Sequence, residues 1–149
     1  MENCIERLTK EAAEVQTFLT QPPTDVADVL AERLGQCNVY IASTGRMLAE
    51  AKSLLDNATV RAFETYGAKV EKMGAQMGGK ILQAYCKDEA FLVNWIEREN
   101  RALVHQADNL RTLISYAKEN MRMSRYAENV RPDVDDFRGY EQEFEVNGW

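Results

Sequence analysis

Apolar and polar positions alternate in steps of three and four over three stretches of this chain. Between residues 2 and 20, Ile5, Leu8, Ala12, Val15, Phe18 and Leu19 recur at helical spacing with Glu and Lys between them, which predicts a short amphipathic helix. TQPPTD ends it: Pro22 and Pro23 cannot extend a helix, and Thr24 or Asp25 is suited to cap the next one by accepting backbone N–H bonds. From there to about Asp56, the positions Leu30, Leu34, Cys37, Ile41, Thr44, Leu48, Ala51 and Leu55 form a heptad seam. A helix of that length reaches roughly 50 Å, further than a compact domain requires. Gly45 lies inside it and costs about 1 kcal/mol relative to Ala, which marks it as a point of close helix approach or a bend.

Residues 57–86 are less regular. DNATVRAFETYGAKVEKM suits a shorter helix with Val60, Phe63, Val70 and Met73 inward, and GAQMGGK, with three glycines within six positions, reads as a flexible break. Asp88 is placed to cap the third stretch. There Leu92, Ile96, Glu99, Leu103, Gln106, Leu110, Leu113 and Ala117 repeat the four-three alternation. The expected fold class is all-α: a long antiparallel helical hairpin, residues about 24–56 and 88–124, with the shorter helices laid against it. The expected division is a helical bundle over 1–127 and a C-terminal tail over 128–149. A hairpin has little interior of its own, which favours a homodimer with a four-helix core.

Two seam positions are polar, Glu99 and Gln106, with Asn94, His105 and Asn109 nearby. Polar residues in a heptad seam cost stability but fix register and oligomeric state, because only one alignment gives them partners. The competing reading is a face that meets a ligand or partner chain. Metal is its least favoured form, since His105 has no second ligand residue at i+4.

Charge refines the picture at the C-terminus. The 149 residues carry a net −6, and AENVRPDVDDFRGYEQEFEVNGW holds seven acids against two arginines, which leaves the rest of the chain at −1. Aromatic residues interleave with the acids, so Asp133, Asp135, Asp136, Phe137, Tyr140, Glu141, Phe144 and Trp149 are the candidates for binding a protein partner. A second candidate set is basic. Arg111, Lys118, Arg122 and Arg125 recur near helical period, Arg98 and Arg101 extend the charge earlier, and such a stripe would bind nucleic-acid phosphates.

Candidate chemistry is sparse. Glu11 with Glu14, and Asp25 with Asp28, are carboxylate pairs at i, i+3 of the kind helical nucleotide hydrolases use for Mg²⁺, yet neither lies in an apolar seam facing a matching pair. No phosphate loop, nucleophile elbow or Cys/His signature is present, so no enzyme activity, cofactor or metal is expected. Cys4, Cys37 and Cys86 are odd in number and widely spaced, which suits reduced thiols in the cytoplasm. No apolar run approaches a membrane span or a signal sequence.

The segments HQADNLRTLISYAKENMR and ASTGRMLAEAKSLLD resemble small helical proteins of unassigned function encoded by bacteriophages and prophages of gut-type bacteria, sometimes near DNA recombination or replication genes. The resemblance covers the two long helices, about half the chain. It implies a bacterial host cytoplasm and a non-enzymatic accessory role, and it carries no site residues.

Overall fold

The computed structural model describes residues 3–22 and 24–129, which form four helices: α1 (Cys4–Thr20), α2 (Ala27–Glu71), α3 (Ala75–Tyr85) and α4 (Lys87–Asn129). No strand occurs among the described residues. None of the helices is long and apolar enough to cross a membrane. The chain is all-α, and α2 and α4 form the expected antiparallel hairpin.

Helix α1 fills the trough between them. Asn3 caps it, its side-chain oxygen accepting from the Ile5 N–H at 3.3 Å. The predicted apolar face goes inward, with Leu8, Ala12, Val15 and Phe18 all buried. Leu8 and Ala12 pack with Met47, Ala51, Leu92, Val93 and Ile96, while Val15 and Phe18 join Leu30, Cys37, Leu103, Ala107 and Leu110. Two apolar clusters therefore stack along a three-helix trunk. Helix α1 thus adds a third wall to the interior of the hairpin.

Arg33 ties the C-terminus of α1 to α2. Although only 8% exposed, it donates to the carbonyls of Phe18 (3.1 Å), Gln21 (2.7 Å) and Pro22 (3.2 Å), with its guanidinium 5.1 Å from the centre of the Phe18 ring. Carbonyls at a helix end lack intrahelical donors and carry partial negative charge, so a cation here satisfies both deficits. At the other end of the same interface, Arg7 and Arg46 alternate with Glu11 and Glu50 in a closed ring. Arg7 pairs with Glu11 at 2.8 Å and with Glu50, and Arg46 pairs with both carboxylates at 2.6 Å. Hydrogen bonds from Arg7 and then Arg46 hold the Glu50 carboxyl below its ordinary value.

Between the two clusters lies a polar layer that sets the register of α2 against α4. Asn100 Nδ2 donates to Thr44 Oγ1 at 2.8 Å and to the Ile41 carbonyl at 3.3 Å, while the Thr44 hydroxyl lies 2.8 Å from the Tyr40 carbonyl. One turn further along α4, the Cys37 thiol donates to the Leu103 carbonyl at 3.2 Å, and burial pushes that thiol up. A one-residue slip of α2 against α4 would break the contacts of Asn100 and Cys37 across the two helices.

Several sequence expectations are corrected. Helix α2 does not stop near Asp56 but continues to Glu71, about 68 Å in all at 1.5 Å per residue. Val60, Phe63 and Met73 are exposed rather than inward, and only Val70 is half-buried. The residues that turn inward are Ala58 and Ala62, packed on Cys86 with Leu55 and Leu82 beside them. GAQMGGK is not a flexible break: the turn is confined to Lys72–Gly74, and most of the motif opens α3. Gly74 takes φ +82, a left-handed conformation that suits glycine. Gly78 is buried against Val70: a Cβ there would run into Val70 Cγ1 and lie 3.1 Å from the Val70 carbonyl. Gly45, by contrast, has open space above it, so no close approach accounts for it. Neither Thr24 nor Asp25 is the cap residue of α2: the helix begins after Val26, whose N–H donates to Thr24 Oγ1 at 3.3 Å. Asp88 sits in the first turn of α4 rather than ahead of it.

Candidate interaction surface

Helix α4 outruns the helices that support it. Leu30, near the start of α2, belongs to the same cluster as Leu110, with Ile114 at its edge, and among the described residues no element continues α2 beyond that point. Ile114 and Ala117 are half-buried, Leu113 is exposed, and every residue from Lys118 to Asn129 is exposed. The helix thus runs past the end of its partner, while its apolar seam stops at Ala117. At 1.5 Å per residue the fully exposed portion extends about 18 Å. Met121, Met123 and Tyr126 stand on it, with Tyr116 just before it, and these side chains are between 54% and 72% exposed. The sequence pattern had drawn attention to the cations here and missed these apolar neighbours, which lie off the four-three alternation: its next positions after Ala117 are Asn120, Ser124 and Ala127.

The six predicted cations separate into two groups. Arg111, Lys118, Arg122 and Arg125 lie within roughly 60° of one another around α4, on the side that faces α2 further back along the hairpin. Lys118, Arg122 and Arg125 line a shallow concavity with Met121, Tyr126 and Asn129. Arg98 and Arg101 are not part of this strip. The helical repeat turns them roughly 140° and 80° away from Arg111, and Arg101 is engaged by Glu97 at 3.0 Å. Arg111 is paired with Asp108 at 2.5 Å, and Arg122 lies 4.0 Å from Glu119. The predicted tail set, Asp133, Asp135, Asp136, Phe137, Tyr140, Glu141, Phe144 and Trp149, lies outside the described residues.

The polar seam residues have a different fate from the one a register role implies. Glu99 is 5% exposed, and neither of its carboxylate oxygens has a hydrogen-bond partner; Gln106 Oε1 is also buried and unpartnered. Burial pushes the Glu99 carboxyl up to about 7, with the nearby Trp95 indole acting in the opposite sense. The register is set instead by Asn100 and Thr44. Asn94, His105 and Asn109 are all exposed.

A groove of about 650 Å³ lies at the other end of the hairpin, between α2 and the α3–α4 junction, lined by Leu55, Thr59, Leu82, Cys86, Ala90 and Phe91 among others. It lacks convergent charged groups beyond Asp56 and Lys87 at its margin. The carboxylates considered for Mg²⁺ are not gathered into a site: Glu11 is held between Arg7 and Arg46, and no group of three or more His, Cys, Asp or Glu residues is placed to hold a metal among the described residues. No protein-family model, curated protein or solved structure matches this chain.

Proposed function

We propose that the protein is a non-enzymatic interaction protein whose rigid trunk holds out the end of α4, and the tail that follows it, to a protein partner. The observation that carries this reading is the run of exposed residues from Lys118 to Asn129, with Tyr116, Met121, Met123 and Tyr126 presented to solvent on an unsupported helix. Aromatic and methionine side chains supply contact area, and the adjacent cations supply electrostatic selection. The resemblance to phage-encoded helical proteins fits this reading, with a bacterial cytoplasm as the setting, a host or phage protein as the partner and a homodimer as the assembly. The acidic tail belongs to the same reading, as a segment able to imitate nucleic-acid charge. The test is affinity capture from host lysate with the full chain and with a Tyr116→Ser/Tyr126→Ser variant of unchanged helicity. A protein retained by the first and lost by the second is expected; equal recovery by both removes the α4 extension from the interface.

A second reading rests on a specific observation: Arg111, Lys118, Arg122 and Arg125 share one side of α4, as a strip contacting a phosphate backbone requires. Fluorescence anisotropy of labelled DNA titrated with the full chain tests it. Binding that weakens steeply with salt and is lost in Arg111→Glu/Arg122→Glu supports the nucleic-acid reading, and salt-independent or absent binding rejects it.

A further inference from the structure

We infer that the cationic side of the α4 extension is a docking strip for the chain's own C-terminal segment, centred on residues 133–144. The inference rests on the reading of that extension as a contact surface, and it adds what occupies the surface before a partner arrives. An isolated helix end of about a dozen residues is marginal in water unless something packs against it. Here Met121 and Tyr126 are left exposed beside Lys118, Arg122 and Arg125, on the part of α4 that extends past α2. The missing occupant must therefore offer acids and apolar area together.

Residues 130–149 have that chemistry. Six acids stand against Arg131 and Arg138, and Phe137, Tyr140 and Phe144 are interleaved with Asp133, Asp135, Asp136 and Glu141. Residues 111–129, by comparison, hold four cations and two carboxylates, so the charges are complementary. Reach is ample. Twenty residues span up to about 65 Å when extended, whereas the exposed strip is about 18 Å long. Attachment at Asn129 places the segment next to the strip at an effective concentration in the millimolar range, far above that of any separate molecule at ordinary protein concentrations. Tail contact would cover the same cations that a phosphate backbone needs, so a partner that takes the tail uncovers them.

Zero-length carbodiimide crosslinking of the full chain at high dilution tests the inference, because it joins a carboxylate to an amine with loss of water only when the two are in contact. Lys118 is the amine on the strip. The expected product is an amide between Lys118 Nζ and Asp133, Asp135 or Asp136, found by peptide mass mapping in the monomer band. Its yield falls severalfold in high salt and in Arg122→Glu/Arg125→Glu, which retains Lys118. Tail links to Lys118 confined to a dimer band overturn the intramolecular assignment. Tail links to other lysines with none to Lys118 overturn the strip itself. The function it rests on is read separately: these links can be absent while partner capture still depends on Tyr116 and Tyr126.

Discussion

The trunk and the arm beyond it are both built from α2 packed against an antiparallel neighbour, yet their interiors differ. In the trunk a third helix, α1, encloses the seam, and the space holds Leu8, Met47, Ile96, Leu103 and Leu110. In the arm, among the described residues, α3 and the first turn of α4 face α2, and contact is made through Ala58, Ala62, Gly78 and Cys86. Two helices alone cannot surround a large side chain, so they close by approaching through small ones. Val60 and Phe63 are left in solvent, and Tyr66 stacks on Tyr85 at 4.1 Å on the flank. Buried apolar area sets most of the stabilisation, so the trunk carries the fold and the arm opens at lower cost.

Changes in the trunk break this comparison most forcefully. Leu103→Ala removes a fully buried side chain where three helices meet and is expected to cost about 2–5 kcal/mol, read as a fall in the midpoint of chemical unfolding. Glu99 acts in the opposite sense. Its folded carboxyl is raised from 4.5 to about 7, so the native chain holds the proton more tightly than the unfolded one. That contribution is fully present below about pH 4.5 and is lost as pH rises through 7, a decline of about 3 kcal/mol. Glu99→Gln should accordingly raise stability at pH 8 and leave it nearly unchanged at pH 4.5. A parallel pH profile for both proteins would contradict the burial assigned to Glu99.

Smaller effects sharpen the contrast. Gly78→Ala pushes a methyl into Val70 and is expected to destabilise the arm by about 1–3 kcal/mol, speeding amide exchange in residues 58–85 without moving the trunk. Phe63→Ser, on the solvent side of the arm, should fall within about 0.5 kcal/mol of wild type in thermal unfolding.

How much of this was legible depended on how far apart the causes lie in the chain. The four-three alternation disclosed the seam because it repeats locally, and Leu30, Cys37, Thr44, Ala51, Leu92, Ile96, Leu103 and Leu110 are all buried. The same reasoning failed between Asn57 and Glu71. Large apolar residues were taken as inward, whereas a two-helix contact selects alanine and glycine, which carry no periodic hydrophobic signal. Arg33 was invisible for another reason: its acceptors are backbone carbonyls 11 to 15 residues away, which no side-chain pattern encodes. The candidate surface was half legible. Its cations stood out in the sequence, while their separation from Arg98 and Arg101, and the absence of α2 opposite them, required the fold.

Hydrogen exchange of the full chain, followed residue by residue, tests the division between trunk and arm most directly. The slowest amides should lie in residues 8–18, 30–51 and 92–110 and exchange only through global unfolding, with residues 58–85 exchanging faster through local opening. Equal protection along all of α2, from Leu30 to Glu71, would contradict it and show that the small-residue interface holds as firmly as the three-helix core.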